Sequence, residues 1–150
     1  MSAALRTRAA RAGLFSTLIV LCCDLLGSGC GSAAADPNAA VYDAWRTQRS
    51  GVEVTARGSV AQLLGTRRGP SGTHEGFLVH LRGAAGRGLT VRVEDNVDVT
   101  GPIPLAPGDD VEVRGEYVYD PLGGLIHFTH HESHGTHPGG YVRVGERVYL

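Results

Sequence analysis

Five of the chain's seven histidines, His127, His130, His131, His134 and His137, fall in the run GGLIHFTHHESHGTHPGGY, from Gly123 to Tyr141. Imidazole is the commonest metal ligand and changes charge near neutral pH, so this density marks a candidate metal or acid/base site. Spacing decides how many of the rings can act together. Zinc needs ligand nitrogens about 2.0–2.1 Å from one centre. On a straight strand His127 and His131 would lie about 13 Å apart, at about 3.3 Å per residue, and His130 and His131 point to opposite faces. No His-x-His pair, the favourable spacing on a strand, occurs. A site there needs the loop to fold back, or partners from elsewhere. His74, Glu75, Asp95, Asn96 and Asp98 are the polar residues available. Plainer readings stand beside this one. His127 and Thr129 would suit cross-strand pairs on a polar sheet face, His134 and His137 a solvated loop, and His80 an exposed strand position. No nucleophile-elbow, P-loop, HExxH or CxxC pattern is present.

The elements that must position these residues are mostly strands. Asp36 and Pro37 suit the start of a helix, and Val41, Ala44 and Trp45 form its apolar stripe, with Ser50-Gly51 as its end. From Val52 the period changes to two: Val52, Val54, Ala56 and Val60 alternate with polar residues as far as Leu63-Leu64. Gly58 inside this strand predicts a bulge or tight bend. Gly65 to Thr73 reads as a loop, with Arg67-Arg68 at its exposed tip beside Gly69-Pro70-Ser71-Gly72. Phe77, Val79 and Leu81 predict a second strand, Gly83 to Gly86 a turn, and Leu89, Val91 and Val93 a third strand. Pro102, Pro104 and Pro107 restrict residues 96–108 to a loop or a short helical turn. Val111 and Val113 begin a fourth strand that runs to Tyr119, and Leu125 to His130 forms the fifth, with Ile126 and Phe128 facing the core. The tail predicts a hairpin around Gly145-Glu146. The fold class expected is mainly β: a small OB-like five-stranded barrel, with one N-terminal helix and a C-terminal hairpin. Closure removes exposed sheet edges. An open β-sandwich of the same strands is the alternative.

The first residues have the layout of an export signal. Arg6, Arg8 and Arg11 precede the apolar run Leu14–Cys23, and small residues lead to Cys30. The run is shorter than the roughly 20 residues a membrane span needs. Gly27-Ser28-Gly29-Cys30 resembles the lipobox of bacterial lipoproteins, in which the Cys is lipidated, although Gly27 stands where Leu is usual. Plain secretion, with cleavage after Ala35, is the runner-up. The expected division is a signal over 1–29, a tether over 30–38 and a single domain over 39–150. That places the protein in the cell envelope, anchored to the membrane through Cys30 and facing the periplasm or exterior. Loss of the signal leaves Cys30 as the last cysteine, so the domain must fold without disulfides. No lysine occurs. From Cys30 onward 11 Arg oppose 14 acidic residues, a net charge of −3 with His neutral. Strong nucleic-acid binding, which draws its affinity from a basic face, is not expected.

Several segments occur together in order: Gly58-Ser59-Val60, His74-Glu75-Gly76-Phe77, Asn96-Val97-Asp98, Gly108-Asp109, Gly115-Glu116-Tyr117, Gly123 to His131, and His137-Pro138-Gly139-Gly140-Tyr141. The set resembles the bacterial domain of unknown function 3465 family, over about Val52 to Leu150. That pattern has a His-Gln-Arg-Phe-like element, matched here at His74 and Phe77 but not at Glu75 and Gly76. It also has a His-Asn pair, matched at Asn96 but with Asp95 in place of the His. The resemblance implies no assigned activity, and it adds His74 and Asn96 to the constellation. The leading expectation is a binding module whose ligand meets His74, Asn96, Asp98, His127, Thr129, His131 and His137. The alternative is a metal-dependent hydrolase, in which the candidate ligands for a divalent ion are His74, His127, His131 or His137 and Asp95 or Glu132 acts as base.

Overall fold

The computed structural model describes residues 36–83 and 88–150. The expected signal, Cys30, the cleavage point after Ala35, most of the tether and most of the Gly83–Gly86 turn lie outside the described residues. α1 (Ala39–Arg46) is followed by β1 (Val52–Gly69), β2 (Gly72–Arg82), β3 (Gly88–Asn96), the one-turn α2 (Val97–Thr100), β4 (Asp110–Val118), β5 (Leu125–His127), β6 (Tyr141–Val144) and β7 (Arg147–Tyr149). The strands pair in the order β1-β2-β3-β5-β4, and β4 pairs back onto β1, so five strands make a ring-like sheet. The β3–β5 pairing is parallel and the others are antiparallel. This is the expected OB-like, mainly β fold, and the β1–β4 pairing rules out the open sandwich. The β6–β7 hairpin extends the sheet from β4.

One long strand closes the ring because it serves two partners. Val52–Ser59 pairs with β4, and Gly58–Gly69 pairs with β2. A side chain at Gly58 would collide with the His80 carbonyl. The bulges themselves come later, between Val60 and Gln62 and between Leu63 and Gly65. Alternation then fills the inside with Val54, Ala56, Phe77, Val79, Leu81, Val91, Val93, Val113, Tyr117 and Ile126, all buried. α1 adds Val41 and Ala44. Asn38, at its N-terminus, is buried too: its amide donates to the Arg57 carbonyl at 2.9 Å, and its Oδ1 accepts from the Arg57 N–H at 2.7 Å. The folded body therefore already includes Asn38.

Two expected elements differ. Residues 65–73 are not an open loop; β1 continues to Gly69 and forms a tight hairpin with β2, so Arg67 stands opposite His74. β5 stops at His127 rather than His130. Phe128 takes φ +54, a left-handed conformation costly for a bulky residue, and this reverses the alternation. Phe128, expected in the core, is half-buried on the outside, while Thr129, expected on the polar face with His127, is fully buried.

Candidate ligand-binding face

The outer face of the ring collects the polar residues. Across β1, β2 and β3 the register sets Arg67, His74 and Asn96 side by side. Two residues back from Asn96 along β3 is Glu94, and two further back is Arg92, which pairs with Leu125 of β5. The period of two puts Arg92, Glu94 and Asn96 on one face. Together with the hairpin turn at Gly69-Pro70-Ser71, Arg92 and Glu94 shape a depression of about 230 Å³, which Arg67, His74 and His127 also line. A smaller adjoining one, about 100 Å³, is bounded by His74, Asn96, His127, Phe128 and His130. His74, Asn96 and His127 thus meet, although 53 residues separate His74 from His127. A larger depression of about 430 Å³ lies elsewhere, between Pro37, Arg57, Arg82 and Arg143, and holds none of the histidines.

Glu94 organises this face. Its side chain is 9% exposed and accepts from Arg67 Nη2 at 3.1 Å and from the Arg92 guanidinium. Asn96 and Asp98 tie the hairpin turn down. Asn96 Nδ2 donates to the Ser71 carbonyl at 3.1 Å, and its Oδ1 caps α2 by accepting from the Asp98 N–H at 3.1 Å. Asp98 Oδ2 in turn accepts from the Thr73 N–H at 2.8 Å. Asn96 therefore has a positioning task besides lining the face, and Asp98 points its carboxylate at the hairpin.

The histidine-rich segment separates into parts. Phe128 is sandwiched between His127 and His137, with ring centroids 4.0 Å apart on each side, and His130 meets Phe128 and His137 edge-on. His137 is largely buried: Nδ1 lies 2.8 Å from the Pro138 carbonyl and Nε2 lies 2.9 Å from Glu132 Oε2. Both nitrogens already face acceptors. The Glu132 carboxylate accepts from the Thr136 hydroxyl at 2.6 Å and from the His134 N–H, which pull its pKa down to about 2, with His137 and His134 adding to the effect. The segment closes where the Gly140 N–H donates to the His130 carbonyl at 2.9 Å. A side chain at Gly140 would strike the Phe128 and Arg114 carbonyls, so only glycine admits this approach. His131 and His134 are exposed.

Beneath the face, Asp95 is fully buried. Its carboxylate accepts from Thr129 Oγ1 at 2.6 Å and Thr100 Oγ1 at 2.5 Å. Burial pushes its pKa up, and the two hydroxyls, then His130 and His74, oppose the shift. Thr129 is thus a partner of Asp95 inside the fold and not a ligand contact. His127 Nε2 lies 3.4 Å from Glu116 Oε1 with no hydrogen bond. Glu116 faces Glu53 across β1–β4, and burial raises the Glu53 pKa.

Among the described residues, no three His, Cys, Asp or Glu side chains are arranged to hold a metal ion. His74 and His127 share the depression, whereas His131 is in solvent and His137 is engaged with Glu132 and Pro138. Neither proposed base suits the task. Glu132, held near pKa 2, is a weak proton acceptor, and Asp95 lines neither depression. The residues missing from the sequence reading are Arg67, Arg92 and Glu94. The alternation Arg92-x-Glu94-x-Asn96 carried the signal for two of them.

Among solved structures, the small single-stranded DNA-binding protein from Streptomyces coelicolor is similar at 23% identity, over 52% of this chain and 86% of that one, with a TM-score of 0.40. A likeness of that size carries no argument about this chain's ligand. No curated protein matches. A family model described as a protein of unknown function, DUF3465, matches residues 25–150, and the chain belongs to that family.

Proposed function

We propose that this protein is an envelope-tethered, non-enzymatic binding module that takes a small polar ligand into the depression beneath the β1–β2 turn. The observation that carries this reading is the meeting of His74 and His127, from β2 and β5, with Arg67, Arg92 and the turn backbone in one depression. In OB-like folds the face of the second and third strands and the loop between the first and second are the usual ligand surface. The fold alone does not fix the ligand. The depression draws on that face and that loop. Asp95, one base the hydrolase reading would need, is enclosed by Thr100 and Thr129 and lines neither depression, which supports binding over metal-assisted hydrolysis. The export signal and Cys30 supply the tether, so the ligand would be met outside the cytoplasm.

The test is ligand-observed NMR with a panel of acidic, sugar and peptide compounds against the full chain in mild detergent. A hit should lose binding in the His74→Ala, His127→Gln double variant and keep it in His80→Ala. Equal binding by all three proteins would place the ligand elsewhere and defeat the proposal. Turnover of any panel compound would defeat its non-enzymatic part.

A further inference from the structure

We propose that this depression is an anion subsite, in which Arg67 and Arg92 hold a phosphate or carboxylate group of the ligand. The inference rests on the binding-module reading and narrows its ligand to acidic compounds. Two guanidiniums converge there on a single buried carboxylate, Glu94. The trio carries one net positive charge. Each guanidinium has five N–H donors in a planar fork, matched to carboxylate or phosphate oxygens. Glu94 is the acceptor both share, and neither Arg has another acceptor among the described residues. The guanidinium side chains are 67% and 44% exposed, while Glu94 is 9% exposed. The buried carboxylate thus fixes the direction of the forks and leaves donors facing the depression.

The rest of the lining agrees in sign. His74 lines the same depression and its imidazole can offer an N–H donor to an oxygen, while His127 turns its buried Nε2 toward Glu116. Of the acidic groups nearby, Asp98 is turned to the Thr73 N–H and Glu116 lies beside His127 at 3.4 Å. Glu116 therefore opposes an anion at the His127 end, which places the acidic group at the Arg67–Arg92 end. The volume, about 230 Å³, admits a phosphate or carboxylate with a small attached moiety.

The experiment titrates the full chain in mild detergent with inorganic phosphate and, separately, acetate, following the histidine ring resonances at constant ionic strength. The expected result is saturable shifts at His74 and His127, with His134 unmoved. Arg67→Gln and Arg92→Gln should each weaken the anion at least tenfold, and Arg143→Gln should not. Arg67 is exposed, so its replacement leaves the fold intact, and Arg67→Lys should recover only part of the affinity because it keeps the charge and loses the fork. Saturation by phosphate alone or acetate alone identifies which acid the subsite takes. Non-saturating shifts, or equal binding by Arg67→Gln and Arg92→Gln, would overturn the inference. If neither anion binds but a neutral sugar or peptide moves His74 and His127, the anion subsite falls and the binding module stands. If no compound moves them, both fall.

Discussion

Replacing Thr129 with Val tests how the base of the site is held. The substitution keeps the shape and the methyl that packs near Gly115, and removes only the hydroxyl. That hydroxyl donates to Asp95 Oδ1 at 2.6 Å in a fully buried setting. Asp95 keeps its second donor, Thr100. A hydrogen bond to a charged group contributes about 1.5–3 kcal/mol, so a loss of about 2 kcal/mol is expected near pH 7. For about 115 residues the unfolding entropy is about 0.24 kcal/mol/K, so the melting temperature should fall by about 8 °C. The sign of the pH effect follows from Asp95. Burial raises its folded pKa above the ordinary value of 3.8, so the ionised form is the disfavoured one in the fold. Stability from this residue is therefore greatest below 3.8 and declines as pH rises through the folded pKa. Val at 129 raises that pKa further and extends the decline to higher pH, so the gap to wild type should shrink below about 1 kcal/mol near pH 3.5. Urea unfolding at both pH values measures the gap. Thr129→Ser, which keeps the hydroxyl, separates the bond from the methyl. An equal loss at both pH values, or a Thr129→Val stability matching Thr129→Ser near pH 7, would refute the reasoning.

Other expectations follow from the same structure. Gly124 has φ +89, and a side chain there would overlap the Tyr117 ring, whose hydroxyl donates to the Gly123 carbonyl at 2.9 Å; Gly124→Ala should lose about 2–3 kcal/mol in urea unfolding. The folded pKa of Glu132 lies near 2, below its ordinary 4.5, so its stabilisation is complete above 4.5 and is lost as pH falls toward 2. Hydrogen exchange across residues 130–140 should quicken in that window, and Glu132→Gln should abolish the pH dependence. Cys30→Ser should release the protein from membranes on fractionation; retention would sink the lipid anchor. Phe128→Ala should shift the His127 and His137 ring resonances together, because one ring separates both.

The ring of strands was legible in the sequence because its inward residues alternate without interruption from Val52 to Val60, from Phe77 to Leu81, and from Leu89 to Val93. The meeting of His74, Asn96 and His127 needed more. Asn96 sits opposite His74 through strand register, and register is a long-range property that periodicity does not report. The family pattern supplied it instead. Phe128 misled because a period of two, extended past His127, puts it inside; a left-handed residue in the middle of an apolar-looking strand leaves no mark on composition. That one backbone turn also carried Thr129 into the core. Arg67 was obscured by Gly69-Pro70-Ser71-Gly72, which signals a turn but not that the strands run right up to it.

The central claim is that one depression, lined from β1, β2, β3 and β5, is where this protein meets its ligand. The most direct measurement is a site-resolved histidine ring spectrum of the full chain, recorded with and without the best compound from the NMR panel. The account predicts that His74 and His127 shift along one saturation curve, with His80 and His134 unchanged. Shifts confined to His131 and His134, with His74 and His127 still, would contradict it.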